Sequence, residues 1–225
     1  AALNSLNRLQ MDSIDLYQIH VPNPFISLNS TISGMKKIMQ EGKIKEIGVS
    51  NFSLNRWLKT EKILNGNVVT NQVEFNLLHP QAIVNMNPQL QNNHVMIAYS
   101  PLAMGLLSGK YDNVRKPTND RLKNPAFSSR NFNNVERVMQ VVRRIAISHG
   151  SSISQIALAW VISHPNVIAI PGAKSIAQVK ENAEAADIHL TAIEINQLDE
   201  VSQAYKQSFH VPRPFEIYKW LFTRG

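Results

Sequence analysis

The chain has 225 residues, 44% hydrophobic and 17% charged, enough for one α/β domain with a substantial core. It holds no cysteine, which excludes disulfides, thiolate catalysis and cysteine-based zinc or iron–sulfur sites. A formal charge of +7 raises the question of nucleic acid, but Lys36, Lys37, Lys43, Lys45, Arg115, Lys116, Arg121, Lys123, Arg143 and Arg144 are scattered and form no long basic run. The surplus better suits attraction of a phosphorylated small ligand. No apolar run approaches the roughly 20 residues of a membrane helix, and a cytoplasmic setting is the expectation.

Leu3, Leu6 and Leu9 recur at helical spacing and predict the second half of an amphipathic helix over 1–10, whose start is expected upstream. A strand over 14–19 runs into His20, and Pro22 and Pro24 then make a loop. Ile32, Met35, Ile38 and Met39 stripe a helix over 31–40, with Gly42 as its stop. A strand over 44–49 delivers Ser50 and Asn51. Ser53 then caps a helix carrying Trp57, Leu58, Ile63 and Leu64, ended by Asn65 and Gly66. The strand over 68–73 carries Gln72 and leads to Glu74 and Asn76; a helix over 81–92 follows, interrupted near Pro88.

The strand over 94–98 leads to Tyr99 and Ser100, and the spacing then changes. Residues 100–134, with Pro101, Pro117 and Pro125, read as one long loop of the kind that is usually functional. Helices are expected over 134–149 and 154–163, then a strand over 167–170 that ends in Pro171, Gly172, Ala173, Lys174 and Ser175. A helix over 175–186 and one capped by Thr191, with Glu194 completing a capping box, close the pattern. The tail over 207–225, with Phe209, Phe215 and Trp220, is expected to fold over the barrel or its mouth.

Strands alternating with helices imply a parallel sheet with right-handed crossovers. Neither G-x-G-x-x-G nor a Walker A sequence is present, which disfavours the doubly wound dinucleotide and P-loop folds. The fold class is α/β, a (β/α)8 TIM barrel. Only five strands can be counted where a closed barrel has eight, so the expectation is one domain over 1–225 holding about strands four to eight. Each strand ends in small polar side chains, which points to one shared ligand site.

The segments SLNRLQMDSIDLYQIHVP, EGKIKEIGVSNFS, NQVEFNLLHP, IAYSPLAMGLLSGKY and IPGAKSIAQVKENAEA occur in this order between Ser5 and Ala186. With them the chain resembles the aldo-keto reductase superfamily, most closely the reductases with the GLLSGKY loop, and is similar to the potassium-channel β subunits of the same fold. The resemblance implies an NADPH-dependent carbonyl reductase. By position, His20 corresponds to the histidine that orients and polarises the substrate carbonyl. Ser50, Asn51 and Gln72 correspond to the partners of the nicotinamide carboxamide, and Tyr99 to the aromatic stacked on its ring. Ser100, Pro101, Leu102, Gly105 and Lys110 correspond to the loop over the pyrophosphate. Gly172, Lys174 and Ser175 correspond to the 2′-phosphate and ribose site, and Gln178, Glu181 and Asn182 to the adenine side. Lys174 beside a helix start favours NADPH over NADH.

The family's catalytic Asp, Tyr and Lys lie ahead of the strand that ends in the histidine. This chain begins after them, and none of Tyr17, Tyr99, Tyr111, Tyr205 and Tyr218 holds the proton donor's place. Impaired catalysis and self-association through an open barrel are therefore expected. The alternatives are a nucleotide-binding regulatory protein like the channel subunits, and a non-functional fragment needing a partner. The remaining histidines show no metal-ligand spacing, and no metal is assigned. Glu74 reads as a salt-bridge partner, Asp12 and Asp15 as cap and helix-packing residues, and Trp57 and Trp160 as core. The substrate is expected to be a small carbonyl compound.

Overall fold

The computed structural model describes residues 1–66, 68–90, 92, 94–112, 114–118 and 125–207. The expected cover by the tail, with Phe209, Phe215 and Trp220, lies outside these residues, as do Arg121 and Lys123. In chain order the elements are α1 (Ala2–Leu9), β1 (Ile14–Ile19), α2 (Leu28–Gln40), β2 (Ile44–Ser50), α3 (Leu54–Leu64), β3 (Thr70–Glu74), α4 (Gln81–Leu90), β4 (Val95–Tyr99), α5 (Ser129–Ser148), α6 (Ile153–Ile162), β5 (Val167–Ile170), α7 (Ile176–Glu184) and α8 (Ala192–Ala204). The strands neighbour one another in sequence order. That is how successive right-handed βα crossovers lay down a parallel sheet.

The chain forms two compact units, the first from Ala1–Val73 with Asn85–Ile97, the second from Glu74–Val84 with the residues from Ala98 onward. In the first, β1, β2 and β3 are parallel, with Gln18 opposite Gly48, Gly48 opposite Thr70 and Ser50 opposite Gln72. Val95 N donates to Val69 O at 3.0 Å and ties β4 to the segment leading into β3. Ile32, Ile47, Val49, Trp57 and Val68 are fully buried, and the Trp57 indole donates to Val68 O at 3.1 Å. Below the strands, Glu61 Oε1 meets His94 Nε2 at 2.8 Å and Glu61 Oε2 accepts from Gln89 at 3.0 Å, so this half-buried carboxylate is satisfied. Asp15 does not pack on a helix. It pairs across the strands with Lys45 at 2.5 Å, whose ammonium lowers the Asp15 carboxyl below its ordinary value.

In the second unit Phe75 stacks on Trp160 with ring centroids 5.0 Å apart, and the Trp160 indole donates to Asp199 at 2.8 Å. Trp160 is a core residue, as Trp57 is in the first unit. Helix α6 is buried along most of its length because nearly every side chain from Ile153 to Ile162 is apolar. Hydroxyls start the helices: Ser27, Ser53, Ser128, Ser152, Ser175 and Thr191 each accept a backbone N–H of the first turn. Two expectations need correction. Helix α5 starts at Ser129, well before residue 134, because Ser128 caps it, and a second short turn spans Pro125–Phe127. Helix α4 runs through Pro88 uninterrupted; the proline sits in its last turn, where it removes one backbone bond, and Asn92 Nδ2 takes up its carbonyl at 3.1 Å.

Candidate functional site

The strand ends of the first unit carry a buried polar cluster. Ser50 and Gln72 are opposite each other, and the Gln72 carbonyl accepts from Ser50 Oγ and from Asn51 N, each at 2.9 Å. Asn51 turns the chain out of β2 with a left-handed φ of 59°, and its amide donates to Ser50 Oγ at 3.1 Å. Asparagine tolerates this conformation where most side chains do not. Ser50 and Asn51 are only 3% and 7% exposed, so they are held rather than free to search.

Behind them stands Asn71, fully buried, which the sequence reading did not single out. Its amide donates to Phe52 O at 2.8 Å and accepts from Phe52 N at 3.4 Å, clamping the turn that carries Asn51. The available signal was the period of two: Asn71 shares its face of β3 with Val73, opposite to Thr70, Gln72 and Glu74, so a polar residue stands where an apolar one is expected. His20 follows the end of β1, is exposed, and makes no hydrogen bond to the Ser50–Gln72 cluster.

The second unit holds a cavity of about 590 Å³, within the range of small-molecule sites. One wall is the segment after β4. Tyr99 O accepts from Phe75 N at 3.4 Å, and Ser100 O accepts from Asn76 Nδ2 at 3.0 Å and Ala103 N at 2.8 Å. The chain then makes a tight turn over Ala103–Ser108 in which Ala103, Met104 and Gly105 are all left-handed, at φ 47°, 56° and 98°. Left-handed backbone costs a non-glycine residue about 1–2 kcal/mol, and such strain gathers at functional loops. At Gly105 any Cβ would also stand 3.2 Å from Tyr111 Cε2, so the turn closes only on glycine. Farther along, Asp112 is held down to about 2 by the Arg115 backbone N–H, the Arg115 side chain and the Val114 N–H, which ties this stretch into a fixed turn.

The facing wall is the approach to α7. Ser175 caps that helix by accepting from Gln178 N at 3.3 Å, while Gln178 Oε1 accepts from Lys174 N at 2.6 Å. Ser100, Pro101, Leu102, Gly105, Lys110, Gly172, Lys174, Gln178, Glu181 and Asn182 all line the cavity, so two segments 60 or more residues apart meet there. Ser175 shapes it as the cap, and Gln178 is partly engaged as a backbone partner. Met104, Ser108, Tyr111 and Ser154 line it as well. Ser108 and Tyr111 sit in the GLLSGKY segment, Met104 just ahead of it, and all three were passed over; Ser154 comes from α6, and nothing local in the sequence marks it.

The chemistry of these walls suits an anion. The first turn of α7 contains no acidic residue, so apart from the Ser175 cap on Gln178 N no side-chain charge offsets its partial positive end. Among the described residues no carboxylate lies within ion-pair distance of the Lys174 ammonium. Glu74, read as an ion-pair residue, lies 3.8 Å from His79 Nε2 at the turn after β3.

Comparison with known proteins places the chain in a family. The sequence model of the Aldo/keto reductase family matches residues 1–203. An uncharacterized oxidoreductase of Mycobacterium tuberculosis is 43% identical over 203 residues, covering 90% of this chain and 63% of that protein. A methylglyoxal reductase of Escherichia coli is 33% identical over 204 residues, covering 90% of this chain and 63% of its own. Among solved structures, an aldo/keto reductase from Klebsiella pneumoniae in complex with NADP and acetate superposes with a TM-score of 0.68 at 32% identity, over 94% of this chain and 68% of that one. The glycerol dehydrogenase of Gluconobacter oxydans reaches a TM-score of 0.83 at 29% identity, over 94% and 65% of the two chains. The chain belongs to the aldo/keto reductase family, and it spans somewhat under two thirds of the length of these curated relatives.

Proposed function

We propose that this chain carries the cofactor site of an NADPH-dependent carbonyl reductase, and that its five-stranded sheet corresponds to strands four to eight of a (β/α)8 barrel. The observation that carries the reading is the cavity of the second unit. The segment after β4 and the start of α7 line it together, and Lys174, with no carboxylate partner among the described residues, stands at a helix N-terminus with no acid in its first turn. A phosphate there would gain from the N–H groups and from the ammonium. When bound, the cofactor supplies hydride to a carbonyl carbon. The chain's own residues bind and orient. Lys174, Ser175 and the α7 N-terminus hold the 2′-phosphate, with Gln178, Glu181 and Asn182 on the adenine side. The turn around Gly105 and Lys110 covers the pyrophosphate. Ser50, Asn51 and Gln72 read the carboxamide, Tyr99 stacks on the ring, and His20 polarises the substrate carbonyl.

Among the described residues Tyr205 is poorly suited to be the proton donor. The Tyr205 hydroxyl is pushed up by burial, a shift that its hydrogen bond to Asn131 does not offset; a proton donor needs the opposite shift. This 225-residue chain therefore binds NADPH and reduces aldehydes poorly or not at all. Calorimetric titration with NADPH and NADH tests binding, and absorbance of reduced nicotinamide with an aromatic aldehyde tests turnover. Micromolar NADPH binding without turnover supports the reading. Turnover on the order of 1 per second or more overturns the account of the donor, and absence of NADPH binding overturns the cofactor site. Among the described residues no single helix is long and apolar enough to cross a membrane. Exposed apolar side chains on β5 and α7, namely Ile168, Ile170, Ile176 and Val179, favour self-association, which sedimentation velocity reads directly.

A further inference from the structure

One row of the first unit sets Gln18, Gly48 and Thr70 side by side on β1, β2 and β3. Two strand spacings, about 9–10 Å, separate the backbones of β1 and β3. The Gln18 amide nevertheless spans them: its Nε2 donates to Gln72 Oε1 at 3.4 Å. Gly48 is what allows the crossing. A Cβ there would stand 2.9 Å from Gln18 Cγ and 2.3 Å from Thr70 Oγ1, and its backbone is not left-handed, so glycine is present for space rather than conformation. The crossing is not explained by local stability. Gln18 Oε1 and Thr70 Oγ1 are both buried without a hydrogen-bond partner among the described residues. Such atoms cost free energy that an apolar side chain at position 18 would avoid.

We propose that Gln18 is a positioning residue for the cofactor. By donating to Oε1 of Gln72, it fixes which end of that amide faces the nicotinamide carboxamide. The Gln72 backbone is already held through its carbonyl by Ser50 and Asn51, so its side-chain amide is the part left to set. The inference rests on the reading above, in which Gln72 contacts the carboxamide. Gln18 touches neither cofactor nor substrate and acts through Gln72 alone.

The test is a double-mutant cycle read by calorimetry: wild type, Q18M, Q72M and the double variant, each titrated with NADPH and with adenosine 2′,5′-bisphosphate. The bisphosphate carries only the adenine and 2′-phosphate part of the cofactor. Q18M is expected to weaken NADPH about tenfold, the scale of one hydrogen bond, and to leave the bisphosphate unchanged. The double variant should bind NADPH no more weakly than Q72M, because the effect passes through Gln72. NADPH affinity within twofold of wild type in Q18M overturns the proposal, as do additive losses in the double variant. A parallel loss of both ligands makes Gln18 structural and overturns it too. If Q18M lacks the helical circular dichroism of wild type, Q18N takes its place, since it keeps the amide but is too short to cross Gly48. Wild type that binds neither ligand overturns the cofactor reading itself, and this inference with it.

Discussion

The strand-end cluster of the first unit and the cavity of the second are built on opposite principles. Ser50, Asn51 and Asn71 are almost wholly buried; Ser50 and Asn71 bond to the backbone of the neighbouring strand or turn, and the Asn51 amide donates to Ser50 Oγ. The cavity is walled by helix α7, which has no buried residue at all, and by a turn with three consecutive left-handed residues. One region is a buried frame in which Ser50, Asn51 and Asn71 have protein partners without a ligand. The other is a concavity lined by Lys174 beside a helix N-terminus, with no carboxylate partner for that ammonium among the described residues. Each region suits a different task, because preorganised donors orient a bound group while uncompensated cations attract one.

Breaking the frame should cost fold, and breaking the cavity should cost only affinity. Asn71→Ala leaves Phe52 N and O buried without partners, so a loss of about 2–4 kcal/mol is expected, read as a lower urea midpoint with an unchanged slope. A loss below about 1 kcal/mol would place Asn71 with the cavity residues and dissolve the contrast. Lys174→Met should instead weaken NADPH by about tenfold to a hundredfold, the scale of a hydrogen bond to a charged group, and leave both NADH affinity and the urea midpoint unchanged. Equal weakening of NADPH and NADH would mean that Lys174 does not meet the 2′-phosphate. Ser175→Ala lies between the two, since Ser175 caps α7. About 1 kcal/mol of stability and a several-fold weaker hold on NADPH are expected, by thermal melt and calorimetry.

How much of this was legible in the sequence follows from the same contrast. The strands and five of the helix starts could be read because they rest on local rules: hydroxyl caps, apolar stripes and small polar residues at strand ends. The residues that wall the cavity were singled out only through the resemblance to a known family. The strand over 167–170 and the Thr191–Glu194 capping box fall where the sequence places them. Asn71, Gln18 and Ser154 escaped because their roles are set by partners on other elements. A buried amide that clamps a turn some 20 residues away, or crosses a glycine two strands over, leaves no local pattern. Residues 100–134 were read as one loop because their prolines hide the Ser128 cap, which starts α5 only after Pro125.

The smallest effect expected lies in the scaffold behind the cavity. Glu194 closes the capping box of α8 and also meets His149 of α5 at 2.9 Å. Burial pushes its carboxyl up, but the N–H and hydroxyl of Thr191 and the His149 ring outweigh that, and its pKa in the fold lies below the ordinary value. A carboxyl lowered by folding adds stability that is full above its unfolded pKa, about 4.3, and is lost as pH falls through the lower folded value. Glu194→Gln should therefore lower the urea midpoint at neutral pH by the equivalent of about 1 kcal/mol, and the gap from wild type should close as the solution is acidified. A gap that stays constant across that range would mean that the charge on Glu194 contributes nothing beyond its shape. A gap that widens in acid would reverse the sign derived from its partners. Either result leaves the cavity's ligand affinity as the independent check, since Glu194 is not among the residues that line it.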